Sequence, residues 1–432
     1  MTGRLDAEPG ERVERSPPDH KRDEAVLSRV WSFGLLTLLG VTFPLWLSAW
    51  QHDGYPVVPW ISIPWRHALD DSRQIIDCVG LTSLVASLAW ITLRGPSRWA
   101  WGTVVVSLSA LLLMDQHRLQ PWAYQSLVYA FALATLPWSR ARPFLIAVAI
   151  SIYAYSSAGK LDYQFTHTVG AEIFQLLASP FAELSIDQAS KFALTLPLGE
   201  LALAVLLTIP RTRRLGGWFA IGLHVSLIAM LGPFGMNHSL GVLCWNALLA
   251  AQAFLLFGRR ARHRVSPEQR DSITRSLRTA LPAAVMWVPL VMPLFERVGY
   301  WDHWTSWALY SPHNSRISAE FHEVVLGQLP ESLQEHLSDN DGDRWYVADI
   351  DQWSLQSRRV PVYPQARYQL SLLSEVVEAF ESDEGVRVTV QSVSDRFDGT
   401  REQQPLIGRQ SLKEQLSRFW FVPSYKTDPE KS

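Results

Sequence analysis

Apolar residues come in long runs along this chain, and polar residues gather at its two ends and in short breaks. Nine apolar segments lie at roughly 30–50, 74–93, 99–114, 122–138, 142–159, 192–210, 215–234, 239–257 and 279–296. A helix needs about 20 residues to cross a bilayer's hydrocarbon layer. Several segments have only about 16–19 residues, which local thinning and snorkelling flanks can accommodate, so eight to ten crossings are expected. Nine such runs without an amphipathic helix between them leave no water-facing surface for a soluble fold. The expected class is an all-α polytopic membrane bundle of about nine transmembrane helices, followed by a small α+β domain.

Residues 1–29 mix acids and bases, contain Pro17 and Pro18, and show no apolar period, so a disordered cytoplasmic tail is expected. The first apolar run starts thirty residues in and has no small-residue cleavage site after it, unlike a secretory signal peptide. The bundle is expected over 30–257, a basic cytoplasmic loop over 258–278, the last span over 279–296 and the α+β domain over 297–432. In that last part, Arg344 to Ile350 and Val386 to Val393 read as strands by alternation and β-branching. Pro364 opens a helix that puts Leu370, Leu373, Val377 and Phe380 on one face, and Ser411 to Phe419 reads as a second. The run from Asp339 to Asp343 superficially matches a calcium loop. Its glycine precedes the third aspartate and no glutamate stands at the twelfth position, so a polar turn is expected.

Loop charge sets the expected orientation. With the N-terminus inside, the inside segments hold six basic residues in the tail, then Arg94, Arg98, Arg140, Arg142, Arg211, Arg213 and Arg214. A dense run from Arg259 to Arg278 follows. The outside loops hold only Arg66, Arg73, Arg118, Lys160 and Lys191. This is the positive-inside asymmetry, and with an odd number of spans it sends the C-terminal domain out of the cytoplasm. A plasma (inner) membrane of bacterial type is the expected location. Beside a span the arginine run reads as cytoplasmic flank, and Trp301, Trp304 and Trp307 just after the last span suit the headgroup zone.

Composition narrows the function classes. Hydrophobic residues make up 48% and charged residues 19% of the chain, and the net charge of −2 excludes a broadly basic nucleic-acid binder. Cys78 and Cys244 both fall in apolar runs and supply no disulfide framework, no CxxC pair and no thiolate metal site. No other metal-ligand spacing stands out.

Ionisable residues inside spans are costly and are functional candidates. Here they are Asp77, Asp115, Lys160, Glu200 and His224, with Asn246 as a polar companion. Glu200 and His224 are each about nine or ten residues from the outer end of their spans, roughly 13–15 Å deep at 1.5 Å per residue. All six fall in the outer half or near mid-plane, which reads as a polar pocket opening outward. The alternative is helix glue, such as a Glu200–His224 pair. Lys160 follows Ser156, Ser157, Ala158 and Gly159, small residues that let another helix or a ligand approach. Desolvation there favours a neutral amine able to act as a base. Taken on spacing alone, an outer-end lysine also fits snorkelling to headgroups.

The segment from Tyr153 to Gly170 resembles the signature of the HTTM membrane domain, the family that includes vitamin K-dependent γ-carboxylase. Lys160, Leu161 and Asp162 match the motif, Phe165 stands where tryptophan is usual, and Gly170 follows. The resemblance covers about residues 30–257 and agrees with an N-in, C-out topology. It implies that Lys160 is a base acting on a quinone-like or lipidic substrate, with Asp77, Asp115, Asp162, Glu200, His224 and Asn246 shaping the pocket and a quinone or quinol as the cofactor. The carboxylase has two consecutive lysines where Gly159 precedes Lys160 here, and the C-terminal part, about 135 residues long, is unlike its lumenal region. The stretch from Asp115 to Trp122 resembles the DoxX and MauE-like redox-associated membrane proteins. That resemblance implies the second reading, a non-catalytic or redox-associated subunit that docks a protein partner through its outer domain.

Overall fold

The computed structural model describes residues 18–47, 54–60, 70–233, 235–258, 277–339, 342–378, 380 and 383–419. Helices α1 (Pro18–Val41), α2 (Asp70–Arg94), α3 (Arg98–Met114), α4 (Pro121–Thr135) and α5 (Trp138–Lys160) come first. After them come α6 (Val169–Ala178), α7 (Ile186–Ala193), α8 (Thr195–Thr208), α9 (Arg213–Leu231) and α10 (Leu240–Ala253). Neighbour contacts run α1–α2–α3–α4–α5, then α5–α8–α9–α10, and α10 returns to α1, closing a ring. Helices α6 and α7 form an excursion between α5 and α8.

Among the described residues, six helical stretches are long and apolar enough to cross a membrane: Lys21–Val41, Gln74–Arg94, Trp138–Lys160, Ile186–Thr208, Arg213–Leu231 and Leu240–Gly258. Their outward side chains remain apolar, with Leu93 75%, Val225 56% and Leu240 61% exposed on α2, α9 and α10 respectively. Such a surface demands a lipid environment. The fold is that of a multi-pass helical membrane protein.

Among the described residues, six of the nine expected segments form helices of full spanning length and three do not. Segment 99–114 is the 17-residue α3, and segment 122–138 yields the 15-residue α4. Segment 279–296 is broken into α11 (Leu277–Val285), Val288–Val291 and a 3₁₀ turn at Met292–Phe295. Pro289 and Pro293, at the starts of the two short elements, explain the breaks, since each lacks a backbone N–H and crowds the preceding turn, while Pro282 is accommodated inside α11. Pro197 does the same between α7 and α8, where it cannot bond the Ala193 carbonyl. The expected disordered tail also needs correction over residues 18–29, which are helical and bury Leu27 and Ser28 against the bundle. Residues 1–17 and most of the basic loop lie outside the described residues.

The C-terminal part is a five-stranded antiparallel sheet with helices. Strands β1 (Arg316–His322), β2 (Leu337–Asp339), β3 (Trp345–Ala348), β4 (Val386–Gln391) and β5 (Gln403–Ile407) stand in the order β2-β3-β1-β4-β5. Helices α12 (Ile350–Arg358), α13 (Ala366–Val377) and α14 (Gly408–Ser417) complete it. Val386, Val388 and Val390 alternate inward on β4 and meet the buried Leu370, Leu373 and Val377 of α13 in one apolar core. Arg344 and Ile350 fall outside the expected first strand: Arg344 takes a left-handed conformation (φ 69°) and Ile350 begins α12. Around the acidic run, the Asp339 carboxylate accepts from the Gly342 N–H at 2.7 Å and Asp343 from the Trp345 N–H at 2.9 Å, a turn between β2 and β3.

Sheet domain and bundle are joined by buried polar contacts. Arg367 donates to Gln116 Oε1 (2.6 Å) and to Asp302 (2.7 Å), while Tyr363 donates to the same Asp302 carboxylate at 2.7 Å. Arg358 donates to the Tyr55 carbonyl at 2.7 Å. Leu119 packs against both apolar cores. Of the three expected headgroup tryptophans, Trp307 instead is buried in the bundle core, 5.1 Å from the Tyr124 ring, and Trp304 meets Tyr363 edge-on.

Candidate functional site

A cavity of about 390 Å³ lies between the bundle and the sheet domain. That volume is within the range of small-molecule sites. Tyr153, Ser156 and Lys160 of α5, Glu200 of α8, His224 of α9 and Asn246 of α10 line it, with Leu223, Leu227, Val242, Trp245 and Leu249 between them. His303, Trp304, Tyr310 and Val362 form the wall opposite the bundle. Most of the lining is apolar, and the polar groups converge from four helices.

Lys160 is the last residue of α5, and its Nζ donates to Glu200 Oε1 at 2.6 Å. Both side chains are nearly shielded, 7% and 13% exposed. The second carboxylate oxygen, Oε2, is buried and has no hydrogen-bond partner among the described residues. A buried acceptor left open in this way is costly unless a ligand or water donates to it. Lys160 therefore reaches a carboxylate on the neighbouring helix instead of the headgroup zone.

His224 belongs to a second polar chain. Asn246 Nδ2 donates to the Val242 carbonyl at 2.9 Å, which turns its Oδ1 toward His224 Nδ1, also at 2.9 Å. With the amide so assigned, Nδ1 carries the hydrogen and Nε2 accepts from the Tyr153 hydroxyl at 2.8 Å. Glu200 and His224 thus share a cavity, each with its own partner, and they do not form the helix-glue pair with one another.

Three of the acids in the expected pocket stand apart from the cavity wall. Asp77 makes a bidentate pair with Arg118 at 2.6 and 2.7 Å, and Arg118 also donates to the Leu45, Leu111 and Trp46 carbonyls. Asp115 caps the turn that follows α3, accepting from the His117 N–H at 3.0 Å. Asp162 caps the turn after α5, accepting from the Gln164 N–H at 2.9 Å, and pairs with Arg297. Asp77 and Asp162 are each paired with an arginine, and all three carboxylates hold a loop or helix end.

Small residues before Lys160 do admit a close neighbour. A Cβ on Gly159 would lie 2.8 Å from Ser311 Oγ, so the 308–313 loop packs on α5 only because this side chain is missing. Outside the helices that can cross a membrane, burial lowers the His238 pKa and raises that of Tyr310, so both are neutral in the cavity wall. Asp351 also lines the cavity.

Several groups escaped the sequence reading. Tyr153 stands in the quoted motif, but nothing in its spacing links it to His224, seventy-one positions on. Glu296, His303 and His313 meet beside the cavity. Their separations of seven and ten residues match no metal-ligand spacing, so no local signal exposed them.

The fold and cavity define a class: a polytopic helical membrane protein whose C-terminal sheet domain closes one end of a largely apolar pocket in which a few polar groups converge. In comparison with known proteins, no family model, no curated protein and no solved structure matches the chain.

Proposed function

We propose that the chain is a membrane enzyme of the HTTM type that moves a proton to or from a quinone-like or lipidic substrate held in this cavity, with Lys160 as the base. The observation that carries the reading is the buried Lys160–Glu200 pair on the cavity wall, with Glu200 Oε2 left open as an acceptor. A substrate hydroxyl that donates to Oε2 would stand within one side chain's width of Nζ. The proposed step is transfer of the hydroxyl proton to the Lys160 amine, with the ammonium formed staying beside the oxyanion it creates. The Tyr153–His224–Asn246 chain fixes a phenolic hydroxyl on the same wall, where it orients a ring or headgroup. The apolar remainder of the lining suits a quinone ring or an acyl chain.

The same reading places the N-terminus in the cytoplasm and the sheet domain outside a plasma (inner) membrane. It counts α3, α4 and the broken 277–295 segment as short crossings, nine in all. Substrate then enters from the outer leaflet, and no nucleic acid is involved.

Lys160→Met keeps most of the stem and removes the amine; Lys160→Arg keeps the charge but does not deprotonate near neutral pH. Both are expected to fail to complement a deletion strain while accumulating normally in the membrane. Mass spectrometry of lipids and quinones that co-purify with the wild-type protein should identify the occupant. Full rescue by Lys160→Arg would sink the enzymatic reading and favour a subunit that docks a partner through the sheet domain.

A further inference from the structure

Glu296 ends the last apolar segment, His303 precedes a 3₁₀ turn at Trp304–Ser306, and His313 lies in the loop before β1. One potential ligand atom from each lies within 4.8 Å of the other two. Glu296 Oε1 is 2.8 Å from His303 Nδ1 and 3.0 Å from His313 Nε2, and Oε2 is also 3.0 Å from His313 Nε2. The two imidazoles are buried, and Glu296 is only 10% exposed.

Two further features make this contact a ligand set. His313 Nδ1 lies 3.1 Å from the Gly159 carbonyl oxygen. A carbonyl only accepts, so Nδ1 carries the hydrogen and Nε2 is the atom presented to the carboxylate. A histidine tied in this way through its far nitrogen has the orientation of a metal-bound imidazole. The loop itself is held from both sides. Arg401 donates to the Pro312, Asn314 and Ser392 carbonyls at 2.5, 2.8 and 2.5 Å, and the Ser394 N–H donates to the His313 carbonyl at 2.9 Å.

We propose that Glu296, His303 and His313 hold one divalent transition-metal ion, zinc or ferrous iron. Two imidazoles and a carboxylate suit these metals, whereas calcium and magnesium favour all-oxygen shells. Tetrahedral coordination at 2.0–2.1 Å puts neighbouring ligand atoms about 3.3 Å apart, so the Glu296 carboxylate needs to move from each imidazole by only a few tenths of an ångström, while the two imidazole nitrogens, within 4.8 Å of one another, come to that spacing. Three protein ligands leave a coordination position open. His303 also lines the cavity, so an oxygen of a cavity-bound molecule is suited to complete the shell. Binding itself does not depend on Lys160 acting as a base.

The test uses full-length protein in detergent, purified through a tag without histidine, stripped with a chelator and reloaded with Zn²⁺ or Co²⁺ alone. Expected results are one zinc per chain after gel filtration, visible absorption bands of nitrogen-ligated cobalt, and a higher thermal midpoint with zinc. His303→Gln and His313→Gln should each weaken zinc by more than the roughly 10–100-fold cost of an outer-shell change. His167→Gln, at an exposed position, should bind as wild type does. Where a ligand variant fails to fold, the wild-type cobalt spectrum decides. A folded wild-type protein that retains well under one equivalent, or lacks nitrogen-ligated bands, overturns the proposal. So does a folded His303→Gln/His313→Gln double variant with undiminished zinc.

Discussion

The Gly159 carbonyl oxygen lies 3.1 Å from His313 Nδ1, so the loop leading into the sheet domain touches the residue immediately before Lys160. One peptide of α5 thereby joins two groups of chemistry-bearing side chains. The Lys160–Glu200 pair stands on one side of it and the Glu296–His303–His313 cluster on the other. Docking of the sheet domain against the bundle therefore bears on the geometry of both.

That contact rests on a missing side chain. Gly159→Ala would bring a methyl to within 2.8 Å of Ser311 Oγ. Overpacking of this kind costs about 1–3 kcal/mol. A second change, Ser311→Ala, removes the clashing oxygen and should recover most of the loss in thermal unfolding in detergent. A Gly159→Ala protein as stable as wild type would contradict the close approach.

The Asp77–Arg118 pair predicts a large asymmetry between single and double variants. Arg118→Met leaves the Asp77 carboxylate buried without its cation, at a cost of about 3–5 kcal/mol. Asp77→Leu with Arg118→Met removes both charges, and its cost should fall below the sum of the single changes. Additive losses would mean that the two charges do not interact in the folded protein.

His117 makes stability depend on pH. Burial is the main cause that pushes its pKa from 6.5 down to about 3, with the Arg358 charge acting in the same direction; a contact with the Pro361 carbonyl opposes them. The folded imidazole stays neutral, while the unfolded one gains a proton as the pH falls below about 6.5. Unfolding therefore takes up a proton between about pH 6 and pH 4, and stability drops across that window by up to about 1.4 kcal/mol per pH unit. His117→Gln should flatten the slope measured by thermal unfolding at stepped pH. Equal slopes for the two proteins would show that His117 is not held neutral.

Loop charge predicts topology. A reporter fused after Ser432 should behave as extracytoplasmic and one inserted near Arg264 as cytoplasmic. Opposite sides require an odd number of crossings between these points, as the short 277–295 segment supplies if it spans. Reports from the same side would remove that crossing and the nine-span count with it.

Hydropathy made the long helices legible because a span advertises itself locally, residue by residue. It marked segments 99–114 and 122–138 as short, but it did not place the breaks within segment 279–296, because boundaries depend on backbone bonds and neighbours. Val386 to Gln391 was readable as a strand by alternation. β2 and β5, short and with mostly exposed side chains, carried no comparable pattern. Among the candidate residues, the chain marked Lys160, Glu200, His224 and Asn246 as unusual because polar groups in apolar runs are rare.

The sequence by itself determined the class of protein: apolar runs must leave water, and a lysine or histidine within them needs a partner. It could not determine which partner. Tertiary structure alone gave Lys160 to Glu200, His224 to Tyr153 and Asn246, and Asp77 to Arg118, because these pairs join helices distant along the chain. It alone gathered Glu296, His303 and His313, whose meeting depends on three turns and a pinned loop. Local composition records the cost of burying a charge; only the fold records what offsets it.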